Sequence, residues 1–285
     1  MRVDITYRYA VEDQPPRSHP PDSDAAIRRL CDGNRAFAGL FANSAGDAMP
    51  RQAIVQLDPR DVGITTSAQE APKQRPFAAI LGCADARVPI ELIFNEGPND
   101  LFVLRVAGNG LGTDVLGSLK YAIDHLSDSL RLIVVLGHSG CGALTTAVDI
   151  FLDPAGYLPL ATQHSLRNIV DRLLVVVQAS SRGMLTAFGA DIHRHLNYRR
   201  ALIEASTATN AALAAYSIEQ ELGTADRKRL RAVYGVYMLE TRSIWAATPA
   251  GSEPLALAAP PQDASGFAEL GNTIVRSDRI RSLLV

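Results

Sequence analysis

The sequence predicts an α/β protein built on a central, mostly parallel sheet with helices on both faces. Short apolar runs without polar alternation recur at 77–82, 101–106 and 132–136, as expected of strands buried on both faces. Segments with helical spacing lie between and after them, and alternation of strands with helices favours a parallel sheet. Two cysteine-containing stretches close two of the apolar runs, where open parallel sheets bind their ligands.

Residues 1–24 read as a polar, flexible arm, extended or disordered around Pro15, Pro16, Pro20 and Pro21. Asp22, Ser23 and Asp24 offer caps to an N-terminal helix that starts at Ala25 and continues through Phe37 and Leu40. Residues 43–75, rich in Gly, Pro, Gln and Thr, read as a long irregular connection. Val115, Leu116, Leu119, Ala122, Ile123 and Leu126 share a helical spacing, and 143–151 starts another helix. Helices are predicted at 166–177 and 199–222, with a less readable stretch, 180–198, between them. The apolar run 231–239 is a late strand. The expected organisation is one domain over 25–246, atypical at about 43–70 and 180–198, with a C-terminal extension at 247–285.

Composition removes several function classes. An apolar fraction of 47% and a charged fraction of 20% over 285 residues suit a globular chain with a sizeable core. A net charge of −2 shows no basic excess for nucleic acid. No apolar run approaches the ~18–20 residues that span a bilayer. The amino terminus has no apolar signal segment, and three cysteines do not suggest a disulfide framework. The expectation is a cytoplasmic protein with reduced thiols.

The chemistry is concentrated in Cys83-Ala84-Asp85-Ala86-Arg87 and His138-Ser139-Gly140-Cys141. Cys83, His138 and Cys141 make a three-ligand metal site, and thiolate with imidazole suits zinc, a borderline-soft and redox-inert ion. Three protein ligands leave a fourth position open, the mark of catalytic zinc. Asp85 is placed to accept a hydrogen bond from a reacting water, and Arg87 to keep Asp85 ionised and oriented.

These stretches resemble the β-class carbonic anhydrases. The resemblance rests on Cys-x-Asp-x-Arg-Val-Pro at 83–89 and Gly-His-Ser-x-Cys-Gly at 137–142, supported by 91–94, 97–98, 100–103 and 105–109, and it runs from about Asp32 to Leu239. It implies a sheet of four parallel strands extended by a late antiparallel strand. It also implies zinc on Cys83, His138 and Cys141, and reversible hydration of carbon dioxide to bicarbonate and a proton by a zinc-bound hydroxide. Asp85 and Arg87 form the family's dyad, and in some members the aspartate swings onto zinc as a fourth ligand. The resemblance further suggests Gln74, Phe102, Tyr121 and Gly108 as substrate-contacting positions, and a homodimer or dimer of dimers. Two other functions use the same features: hydrolysis of carbon disulfide or carbonyl sulfide, and a catalytically silent zinc-containing bicarbonate-binding module. The lack of a Cys-x-x-Cys pair argues against a thiol redox protein.

Several neighbouring signals are read as structural. Cys31 lies on an apolar helix face and packs. Gly108-Asn109-Gly110-Leu111-Gly112 lacks the third glycine of a dinucleotide loop and marks a close backbone approach. His193 and His195 do not share a helix face, and with Arg194, Arg199 and Arg200 they form a solvated surface. His125 is a surface or interface residue.

Overall fold

The structure is a computed structural model that describes residues 2–9, 18–42, 51–63, 71–249 and 252–285. Its elements in chain order are β1 (Val3–Tyr9), α1 (Ser23–Gly39), β2 (Arg51–Leu57), β3 (Ala78–Gly82), α2 (Ile90–Ile93), β4 (Leu101–Arg105), α3 (Thr113–His125), β5 (Leu132–His138), α4 (Gly142–Leu152), α5 (Tyr157–Ala161), α6 (His164–Phe188), α7 (Tyr198–Glu221), β6 (Arg231–Tyr237), β7 (Ile244–Trp245), α8 (Ala264–Arg276) and α9 (Asp278–Leu283).

The main sheet has the order β4-β3-β5-β6-β7. β3 pairs in parallel with β4 and β5, β5 pairs in parallel with β6, and β7 runs antiparallel to β6. The late run 231–239 therefore joins as the fourth parallel strand. The antiparallel strand is the short β7 after it, whose two residues are too few to register as a strand in the sequence. β3 and β5 are buried along their whole length. Their side chains alternate between two cores, as the two-residue period requires. Ala79, Leu81, Ile133 and Val135 pack with α3 and α7, whereas Ala78, Ile80, Leu132, Val134 and Leu136 pack with α1 and α2. A third core, made by α4, α6 and the other side of α7, holds Cys83 and Cys141 and extends to Ile274, Val275 and Ile280 of α8 and α9.

Four stretches carry structure that the sequence reads otherwise or leaves open. Residues 3–9 of the arm form β1, paired in parallel with β2 inside the stretch expected to be irregular. Alternation at these strands is faint because β1 and most of β2 are half-buried or exposed. The less readable stretch begins as helix, since α6 runs on to Phe188. Its period is masked by small polar residues buried against α7: the Ser181 hydroxyl is 2.8 Å from that of Tyr198 and the Ser180 hydroxyl 3.2 Å from that of Thr209. The C-terminal extension docks on the body, with Ile274, Val275 and Ile280 each 1% exposed. Residues 10–17 of the expected arm, and 43–50 and 64–70 of the expected connection, lie outside the described residues.

Asn34 on α1 joins three segments that are distant in sequence. Its side-chain amide donates to the carbonyls of Ile93 at 3.2 Å and Arg242 at 2.9 Å, and its oxygen accepts from the Ile244 N–H at 2.9 Å. Asn34 is 4% exposed, so truncation leaves buried polar groups without partners. Asn34→Ala is expected to destabilise the fold by roughly 3 kcal/mol or more, taking about 1–3 kcal/mol for each orphaned group. Urea unfolding with an unchanged slope measures this; a loss under about 1 kcal/mol, the net worth of a single ordinary hydrogen bond, would show that water replaces the bridge.

Candidate metal centre

Parallel pairing sets Gly82 of β3 beside Leu136 of β5, so the chain leaves both strands on the same edge of the sheet. Cys83 follows β3 directly, His138 ends β5, and Cys141 is the residue before the first turn of α4. All three are buried, and their donor atoms lie within 4.8 Å of one another.

His138 Nδ1 is 3.0 Å from the carbonyl oxygen of Ser139, which holds a proton on that nitrogen. Nε2 is then the lone-pair atom, buried and without a hydrogen-bond partner. The Cys83 sulfur accepts from the N–H groups of Asp85 and Gly108, and the Cys141 sulfur from those of Ala143 and Leu144 at the start of α4. Backbone donors and a helix N-terminus favour thiolates. A hydrogen bond from the Cys141 thiol holds the Cys83 thiol down, to about 4, against burial. That same hydrogen bond, and burial, push Cys141 up. Two adjacent buried thiolates repel each other, and a cation between them removes the conflict. An orphaned imidazole nitrogen beside two sulfurs fits a borderline-soft divalent ion such as zinc.

Asp85 flanks this cluster, with Oδ2 3.8 Å from His138 Nε2. Arg87 grips it in a fork: Nε donates to Oδ1 at 2.9 Å and Nη2 to Oδ2 at 2.7 Å, while the Arg87 backbone N–H donates to Oδ1 at 2.9 Å. The Arg87 guanidinium holds the Asp85 carboxyl well below the usual carboxylate range. Turned toward Arg87, Asp85 does not belong to the three-donor cluster.

Two supporting residues escape sequence reasoning. Arg105, at the end of β4, donates from Nε to the Cys83 carbonyl at 3.0 Å and from Nη2 to the Asp85 carbonyl, so it braces the turn that carries both side chains. Asn109 is 3% exposed and donates to the carbonyls of Leu81 at 3.2 Å and Leu136 at 2.7 Å, tying the ends of β3 and β5 together. Both fall within the stretch 105–109 that contributes to the family resemblance. Their partners are backbone carbonyls 20 or more residues away, which no local pattern discloses.

Gly108 adopts a left-handed φ of 62° and gives its N–H to Cys83. A Cβ there would stand 3.0 Å from the Ala143 Cβ and 3.1 Å from Leu173 Cδ1. The glycine-rich run thus serves a close approach. The other expected substrate contacts are not gathered at this chain's cluster. Gln74 is exposed and precedes β3, whose five residues span about 13 Å before Cys83. Phe102 pairs with Ala79 near the start of β4 and packs half-buried against the α3 side of the core. Tyr121 lies about 12 Å along α3 from its start, is 50% exposed, and stacks on His125 at 4.6 Å. His193 is exposed and His195 half-buried, while Cys31 packs half-buried against the α1 core.

The family model described as carbonic anhydrase matches residues 78–240. Carbonic anhydrase 2 of Mycobacterium tuberculosis is 38% identical over 184 residues, covering 64% of this chain and 77% of its own length. The carbonic anhydrase of Mycolicibacterium smegmatis is 34% identical over 205 residues, covering 70% and 85%. A solved structure, that of the β-carbonic anhydrase CcaA, covers 66% of this chain and 85% of its own at 25% identity, with a TM-score of 0.48.

Gly108→Ala tests the packing of this centre. The added methyl meets Ala143 and Leu173, and the backbone there is left-handed, so the variant is expected to lose about 1–3 kcal/mol of stability. Chemical denaturation of chelator-treated protein reads the effect without a metal contribution. A wild-type midpoint would show that the approach accommodates a side chain.

Proposed function

The chain belongs to the β-class carbonic anhydrases, enzymes of the reversible hydration of carbon dioxide, and we propose that here the reaction runs on zinc held by Cys83, His138 and Cys141. The observation that carries this reading is the convergence of two sulfurs and the unpartnered imidazole nitrogen within 4.8 Å, beside a carboxylate already gripped by an arginine. Bound there, zinc would supply Lewis acidity that brings the pKa of a water in its fourth position from ~15.7 toward about 7.

The protein's own groups account for the rest. Two thiolates balance the charge of a divalent ion, so the centre is neutral within its donor set. The Ser139 carbonyl keeps the His138 proton on Nδ1 and the lone pair of Nε2 directed at the cluster. Asp85 is ionised and held by three hydrogen bonds from Arg87, so it acts only as an acceptor. An acceptor on that side would take a hydrogen bond from the reacting oxygen, fixing where its proton points and leaving a lone pair for the carbon of carbon dioxide. Arg105 keeps the Cys83–Asp85 turn at a constant distance from the cluster.

Homo-oligomerisation and a cytoplasmic location are part of the same proposal. Both support the chemistry: a reducing compartment keeps Cys83 and Cys141 as thiols. Among the described residues, no helix is long and apolar enough to cross a membrane. Gln74, Phe102 and Tyr121 are assigned to substrate contact across such an assembly, while Gly108 acts from within through its backbone. One domain over 25–246, with the segments before and after it as extensions, is the organisation that goes with this reading.

Metal analysis coupled to stopped-flow hydration tests the assignment. Wild-type protein is expected to hold one zinc per chain, and Cys141→Ser to lose most of it together with hydration activity. Full zinc occupancy and normal turnover in Cys141→Ser would refute the ligand set.

Asp85→Ala and Arg87→Ala are expected to separate metal binding from turnover. Both should keep most of their zinc yet hydrate carbon dioxide about 10–100-fold more slowly, as losses of residues that orient a metal site usually do. Near-normal rates in both across pH 7–9 would make the pair a structural ion pair.

A further inference from the structure

The two residues between His138 and Cys141 are held by a charged network that reaches the C-terminal helix. Ser139, 2% exposed, donates its hydroxyl to Glu240 Oε2 at 2.9 Å and accepts the Leu239 N–H at 3.0 Å. Gly140, at a left-handed φ of 61°, donates its N–H to Glu204 Oε1 at 2.9 Å. Glu204 comes from the second turn of α7 and is 6% exposed. Its other oxygen, Oε2, accepts from Arg279 Nη2 at 2.6 Å, and the same nitrogen lies 3.6 Å from Glu240 Oε1. Arg279 thus sits between the two carboxylates that grip the turn carrying His138 and Cys141.

We propose that Arg279 of α9 is a positioning residue for the metal-ligand turn, acting through Glu204 on Gly140 and through Glu240 on Ser139. The inference rests on the reading of Cys83, His138 and Cys141 as the zinc ligands. A buried carboxylate is costly without a cation to pair with it, and Arg279 supplies that cation to the carboxylate that holds Gly140. α9 can supply Arg279 because the neighbouring Ile280 is 1% exposed and belongs to the same core as Cys141. The guanidinium comes from outside residues 78–240, the stretch matched by the family model. The segment after the matched region therefore contributes to the geometry of the centre while touching none of its donor atoms.

Three full-length variants test this: Arg279→Gln, Glu204→Gln and the two combined. Zinc affinity is read by competition with a chelating dye, and the geometry of the centre by the ligand-field spectrum of the cobalt-substituted protein. Each single variant is expected to bind zinc about tenfold more weakly, with a shifted cobalt spectrum, as for loss of an outer partner of a metal ligand. The double variant should be no worse than either single one, because the residues act as one unit. Arg279→Lys, which keeps the charge, should recover zinc affinity to within about threefold of wild type, whereas a purely structural role would not be rescued by charge alone. If Arg279→Gln does not fold, Glu204→Gln decides alone, since it removes the buried charge and still offers Gly140 an acceptor. Zinc affinity within about twofold of wild type, as expected of an uncoupled site, together with an unchanged cobalt spectrum in either single variant, overturns the proposal, as do losses that multiply in the double variant. Wild-type protein that takes up no zinc would instead overturn the metal-site reading on which the proposal rests.

Discussion

The centre depends on the parallel pairing of β3 with β5. In a parallel pair both chains exit at the same edge, so a residue just after one strand and a residue at the end of the other become neighbours without any long loop. Gly82 beside Leu136 is the register that does this, and it sets Cys83 next to His138. A slip of one residue would turn every side chain of the strand to the opposite face and break both cores at once. The apolar sequences of β3 and β5, buried on both faces, therefore secure the geometry of the three-donor cluster as firmly as they secure the fold.

Around that register the protein satisfies backbone groups that a ligand-bearing turn leaves open. Asn109 takes the carbonyls of Leu81 and Leu136, and Arg105 takes those of Cys83 and Asp85. The backbone N–H groups nearby point at sulfur instead. This division of labour produces the electrostatic character of the site, in which donors surround two sulfurs and a guanidinium grips the Asp85 carboxylate. The side chains at the centre are held by partners outside the three-donor cluster, which is how a preorganised site keeps its geometry.

The helical layer under the centre extends the same logic. α4, α6 and α7 share a core with α8 and α9, so the C-terminal segment closes an apolar surface that includes both cysteines. β-bridges from Tyr234 to Ala258 and from Ala246 to Leu255 lay the intervening chain along β6 and β7. A segment fixed at that many points transmits its position to whatever its polar side chains touch.

The α/β class, the strands at 77–82, 101–106 and 132–136, and the three metal-ligand candidates were legible in the sequence, because each depends on local information. Unbroken apolar runs mark strands buried on both faces, and the chemistry of Cys and His in two short motifs marks donors. Helix α6 beyond Val177 was not legible, because its buried residues include serines whose hydroxyls are satisfied only by Tyr198 and Thr209 on another helix. Nor was the direction of the strand at 231–239, since pairing partners leave no trace in a strand's own composition. Asp85 and Arg87 could be paired from their spacing, but Arg105, Asn109, Glu204 and Arg279 could not be placed at the centre. Their partners are separated from them by some 20 to 75 residues, or are backbone groups with no sequence identity. Sequence alone determined which residues are the candidates for the chemistry; only the packing of distant segments decided what holds them, because a hydrogen bond across a fold belongs to neither of the stretches that make it.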